Sequence, residues 1–200
     1  YNRGPSTGVF HQPAGVAADA AGNIYVADTK NSRVQKFGPD GSFLLAFSLP
    51  PVESARRQDE AEDDDGDDDK PGLGRPEGIA VDGAGDIYVA DGKGRRALRY
   101  SASGALKVTL KGGQGKSGFK RTYGVAVDAA GQCLVVSDRG TGRIYKYDGE
   151  GNISLVFGGK DMRGKDDRDG DKRRASEEAP EEPLGIALDA AGNLYVADRE

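Results

Sequence analysis

Four aspartates, Asp28, Asp91, Asp138 and Asp198, recur at the end of one repeated phrase, and in three copies an arginine follows five residues later, at Arg33, Arg96 and Arg143. A carboxylate beside a guanidinium can serve proton transfer, or it can brace two neighbouring elements. Recurrence in every copy points to the brace, because a repeat architecture needs its scaffold contacts in each unit and a catalytic group in one place. Asp28, Asp91 and Asp138 are therefore read as structural partners of their arginines. Cys133 falls in the same phrase, at what reads as the position of Ile24, Ile87 and Leu194, which makes it a buried core thiol and not a nucleophile. His11 has no second His beside it, and Cys133 is the single Cys, so a His-rich or Cys-rich zinc site cannot be assembled from these residues. The acidic run Asp59 to Asp69 invites a calcium loop, which needs ligands at positions 1, 3, 5 and 12 around a Gly at 6. With Gly66 at 6, Ala61 and Gly72 fall at 1 and 12, and with Gly170 at 6, Lys165 and Ser176 fall there, so both registers fail. No catalytic residue, metal ligand or cofactor is assigned to this segment.

The elements that must position these residues come from the repeat. The phrase reads PAGVAADAAGNIYVAD from Pro13, PEGIAVDGAGDIYVAD from Pro76, TYGVAVDAAGQCLVVSD from Thr122 and PLGIALDAAGNLYVAD from Pro183. Its equivalent glycines, Gly15, Gly78, Gly124 and Gly185, are spaced 63, 46 and 61 residues apart, so the shortest interval is the bare unit and the other two carry insertions. Short β-branched and aromatic runs cut by Asp and Gly turns predict strands. In the first unit they fall at Gly15–Ala18, Asn23–Ala27, Arg33–Phe37 and Phe43–Phe47, and in the third at Gly124–Val127, Cys133–Ser137, Arg143–Tyr147 and Ile153–Phe157. Four short antiparallel strands per unit is a propeller blade. The expected fold is all-β: a β-propeller of four-stranded antiparallel blades, present as an incomplete arc of about three and a half blades. Its repeats lie at about 8–50, 72–111, 112–159 and 183–200 of a single 1–200 segment. Small residues on each first strand suit the crowded inner end, and aromatics lie further out.

Composition agrees. Gly is 31 of 200 residues while Pro is only 9, which excludes both collagen and a Pro-rich coil. No apolar run approaches the ~20 residues of a membrane helix. The chain begins at Tyr1, and the expectation is a piece of a longer polypeptide that holds the remaining blades. One Cys does not fix a compartment, and the cytoplasm is the default. The formal charge is −5, but residues 53–70 carry −7 and residues 160–182 carry −2, leaving the blades at +4. The acidity belongs to the insertions, the first read as an acidic disordered loop and the second as a mixed-charge one.

The segment GNIYVADTKNSRVQKF from Gly22 to Phe37 resembles the NHL-repeat family, whose blades pair a Gly-Val-Ala-Val-Asp strand with Gly-Asn-Ile-Tyr-Val-Ala-Asp and Asn-x-Arg-Val-Gln-Lys-Phe. The resemblance implies a propeller that generally closes with six blades. It also implies a noncatalytic scaffold, in several members the substrate-recognition end of a RING-type ubiquitin ligase or an RNA-binding surface. Some propellers similar to this one are instead metal-dependent lyases or lactone hydrolases, and the alternative is an enzyme whose site lies in blades outside this segment.

Variable loops on a rigid scaffold are where binding concentrates. In an up-and-down blade the links from second to third strand and from blade to blade share one end. That end carries Lys30, Arg33, Lys93, Arg95, Arg96, Lys120, Arg121, Arg139 and Arg143, and both insertions emerge there. These nine cations are the expected partner-binding face, for a protein segment first and RNA second. Only Tyr123 and Phe119 stand near them to stack on bases. The Asp59 to Asp69 run is expected to compete intramolecularly for the same face.

Overall fold

The computed structural model describes residues 7–52, 72–113, 118–159, 180 and 182–199. The first blade is β1 (Pro13–Ala18), β2 (Ile24–Asp28), β3 (Arg33–Phe37) and β4 (Phe43–Ser48). The second is β5 (Pro76–Val81), β6 (Ile87–Asp91), β7 (Arg96–Tyr100) and β8 (Leu106–Leu110). The third is β9 (Thr122–Val127), β10 (Leu134–Asp138), β11 (Arg143–Tyr147) and β12 (Ile153–Gly158), and β13 (Pro183–Leu188) pairs with β14 (Leu194–Asp198) as the inner half of a fourth. Every sheet runs in chain order with antiparallel neighbours, and a 3-10 turn at Thr29–Asn31 is the single helical piece among the described residues. The all-β propeller arc expected from the repeat is thus the fold. The first insertion, and with it the masking by Asp59 to Asp69, lies outside the described residues, as does the second apart from Pro180 and Glu182.

The expected limits of β3 and β11 are the observed ones, and those of the other predicted strands differ by one or two residues. The second strands start at Ile24 and Leu134, because the turn before them is closed by Asp19 and Asp128, whose carboxylates accept the N–H groups of Asn23 (2.9 Å) and Cys133 (3.1 Å). This corrects the placement of Cys133. The backbone N–H of Asp128 donates to its carbonyl just as that of Asp19 donates to the carbonyl of Asn23, so Cys133 matches Asn23 and Leu134 matches Ile24. One extra residue, Gln132, fills the turn. Cys133 is a half-buried turn residue, and the core position belongs to Leu134.

The inner strands β1, β5, β9 and β13 pack side by side around the arc. Their shared glycine is required by that approach: a Cβ on Gly15, Gly78 or Gly124 would meet the carbonyl oxygen of Glu77, Tyr123 or Leu184 of the next blade. Core residues wedge between successive blades. Tyr25, Ala27 and Val34 pack against Ile79, Val89 and Leu98, while Tyr88, Ala90 and Ala97 pack against Val125, Val136 and Tyr145. Each blade therefore buries one face forward and one backward. At the ends of the arc that pattern lapses: Val16 is 70% exposed where Ile79 and Val125 are 7% and 6%, and Tyr195 is 59% exposed where Tyr25 and Tyr88 are buried.

Candidate functional site

The turns between second and third strands have four residues each: Thr29–Ser32, Gly92–Arg95 and Arg139–Gly142. All three are organised by the buried aspartate that precedes them. Asp28, Asp91 and Asp138 are fully buried, and each accepts the backbone N–H of the segment entering the blade, from His11, from Arg75, and from both Lys120 and Arg121. Each also accepts from the third turn residue: Asn31 through its amide, Gly94 through its N–H, and Thr141 through both N–H and hydroxyl. Asp198 repeats the entry contact with Glu182 N–H at 2.8 Å. Burial pushes the Asp138 carboxyl above the usual range, against the pull of Thr141, Lys120 and Arg121.

The arginines at the start of the third strands complete this brace. Arg33 Nε lies 2.7 Å from Asp28, and Arg96 Nε lies 2.8 Å from Asp91. Their Nη2 groups donate to the carbonyls of Val9 (2.8 Å) and Pro50 (2.6 Å), which belong to the chain arriving at each blade. Arg143 faces Asp138 in the β10–β11 register and is 6% exposed. Of the nine cations expected on the binding face, Arg33 and Arg96 are each held between a buried carboxylate and a link carbonyl, and Arg143 is buried at the matching position.

The other six remain at the face. Lys120 is exposed, and Lys30, Lys93, Arg95, Arg121 and Arg139 are half-buried. Side-chain hydroxyls beside these turns tie neighbouring blades together. Thr29 Oγ1 donates to Pro76 C=O (2.8 Å), Thr122 Oγ1 donates to Arg96 C=O (3.3 Å), and Ser137 Oγ donates to Leu184 C=O (3.0 Å). Gly140 has no room for a Cβ because Lys120 and Arg121 lie against it, and Arg139 N–H donates to Arg121 C=O at 2.9 Å. Gly92 lies against the Thr122 carbonyl, so the second-to-third turns of blades 2 and 3 both abut the segment that enters blade 3. Arg139 also reaches Glu182 of the fourth unit at 3.2 Å. Phe119 is not available for base stacking: it is 6% exposed and packs edge-on against Tyr145 with centroids 4.7 Å apart. Tyr123 is half-buried, and His11 is exposed.

The opposite end is stereotyped and internally satisfied. Asp19, Asp82 and Asp189 each accept the hydroxyl of a tyrosine six residues on, Tyr25, Tyr88 and Tyr195. That spacing is present in the sequence but was hidden by the third copy, where Val135 stands in place of Tyr. Blade 2 adds Asp86, which takes Arg99 at 2.8 Å and Lys107 at 2.7 Å; burial works to raise its carboxyl, but these two cations hold it below the ordinary range. Among the described residues no group of three or more His, Cys, Asp or Glu side chains is arranged to hold a metal ion.

Comparison with known proteins agrees with the architecture. The family model of the NHL repeat matches residues 10–37 and 73–96. A solved streptogramin B lyase superposes with a TM-score of 0.62 at 16% identity, covering 93% of this chain and 48% of that one. A catalytically inactive virginiamycin B lyase from Staphylococcus aureus, solved with quinupristin, gives 0.60 at 13% identity with the same coverage of 93% and 48%. At such identities the likeness is one of fold. The chain spans about half the length of these two proteins. No curated protein matches the sequence.

Proposed function

We propose that this chain, an arc of an NHL-repeat β-propeller, is a noncatalytic binding module that docks an acidic protein segment on the face of its variable loops. One observation supports the reading: the second-to-third turns of blades 2 and 3 both abut the segment that enters blade 3, which gives the cation-bearing loops of the two blades one packed base, and we take their cations as one ridge. A ridge of this kind recognises extended carboxylate-bearing chains, and its pull falls with salt. The removal of Phe119 into the core favours a protein segment over single-stranded RNA, which needs exposed aromatics to hold its bases. Such a module serves as the recognition part of a larger protein, a RING-type ubiquitin ligase included.

The test is binding of poly-L-glutamate and of a single-stranded RNA oligomer to the full-length chain, with Lys93→Glu and Lys120→Glu variants. The expected result is polyglutamate binding that weakens with salt and with either substitution. Equal binding by the charge-reversed variants overturns the reading, and tighter binding of RNA than of polyglutamate replaces the acidic segment with a nucleic acid.

A further inference from the structure

The position just before each inner strand carries Gln12, Arg75, Arg121 and Glu182, so its charge reverses at the fourth unit. The backbone of Glu182 is fixed there on both sides. Its N–H donates to Asp198 Oδ1 at 2.8 Å, and its C=O accepts the N–H of Arg199 at 3.2 Å. From that anchored backbone the carboxylate turns back to blade 3, where Oε2 lies 3.2 Å from Arg139 Nη2. Arg139 opens the turn that abuts Lys120 and Arg121, and its own N–H donates to the Arg121 C=O at 2.9 Å. The chain alone therefore already seats a carboxylate on a cation of the loop face.

This pair differs in kind from the braces beneath it. The side chains of Arg33 and Asp28 are 5% and 0% exposed, whereas those of Arg139 and Glu182 are 29% and 45% exposed. A sealed pair cannot lose one partner without stranding a buried charge, but a pair open to water is weak and exchanges its carboxylate for another. We propose that Glu182 is an intramolecular competitor of the docked acidic segment: its carboxylate holds Arg139 in the chain alone and gives way when a ligand carboxylate takes the guanidinium. Tethering keeps the competitor at a constant local concentration, so it favours segments with several carboxylates, which engage the neighbouring cations at the same time, over single acids. The proposal rests on the reading of this face as an acid-binding surface.

The test is poly-L-glutamate binding to the full-length chain in a cycle of Glu182→Gln, Arg139→Gln and the double variant, beside Lys93→Glu and Lys120→Glu. Glu182→Gln should tighten binding about threefold at low salt. Arg139→Gln should weaken it about threefold in the Glu182→Gln background but less than about 1.5-fold in the wild type, where the guanidinium is already engaged. Equal effects of Arg139→Gln in the two backgrounds, as two independent charges would give, overturn the competition, and so does binding unchanged by Glu182→Gln. If Lys93→Glu and Lys120→Glu still weaken binding in that case, the acid-binding ridge stands without an internal competitor. If they too leave it unchanged, both fall.

Discussion

Arg96 donates through Nε to the buried carboxylate of Asp91 at 2.8 Å, across the β6–β7 pair, while its Nη2 holds the carbonyl of Pro50 at 2.6 Å. One side chain thus ties the second strand, the third strand and the chain arriving from the previous blade. Arg33 does the same with Asp28 and Val9.

Asp91→Ala should therefore be among the most damaging single changes. It strands Arg96 without its counter-charge and leaves the N–H groups of Arg75 and Gly94 without an acceptor, a loss of about 3–5 kcal/mol. Urea unfolding of Asp91→Ala, Arg96→Ala and the double variant checks it, with a coupling well above 1 kcal/mol expected between the two.

The inner-strand glycines should separate into two classes. Gly78→Ala drives a Cβ into the backbone of Tyr123 and should cost about 1–3 kcal/mol by forcing two blades apart. Gly185→Ala, whose nearest neighbour is the Ala197 Cβ at 3.8 Å, should change stability by less than about 0.5 kcal/mol. Thermal melts of the pair measure the difference.

Cys133 and Leu134 give a test of register. Cys133→Ser, at a half-buried turn position, should cost less than about 1 kcal/mol, whereas Leu134→Ala, in the core at 4% exposure, should cost about 2–4 kcal/mol. Comparable losses in chemical denaturation would restore the thiol to the core.

Asp86 predicts an acid response. Its folded carboxyl titrates below the ordinary range, so its contribution is complete above about pH 4 and is lost as pH falls through the lower folded value. Asp86→Asn should cost about 1 kcal/mol at neutral pH, since Lys107 is 46% exposed and Arg99 27%. The gap between variant and wild type should close as pH falls below about 4, which denaturant melts across the acid range would show.

The enzyme alternative makes its own prediction. A metal-dependent propeller site would leave the purified full-length protein with a stoichiometric metal ion, and elemental analysis after dialysis detects it. A metal-free protein that still binds polyglutamate is the outcome expected of the binding module.

The sequence by itself determined the blade. Alternating side chains fix which residues of β2 and β3 share a face, Asp-led turns such as Asp19 to Gly22 close on their own backbone, and Gly15 marks the inner strand, all within a few residues of chain. Only the tertiary structure decided what each repeated position meets. Val16 and Val125 occupy the same place in the phrase, yet one is 70% exposed and the other 6%, because burial comes from the neighbouring blade and not from the strand. Arg33 and Lys30 look equally cationic in sequence, but one is drawn to a buried carboxylate and the other stays at the rim. Phe119 left the binding face because an edge-on contact with Tyr145 lay within reach across the blade. These outcomes depend on the stacking of one sheet upon the next, a relation between residues tens of positions apart that no local pattern encodes.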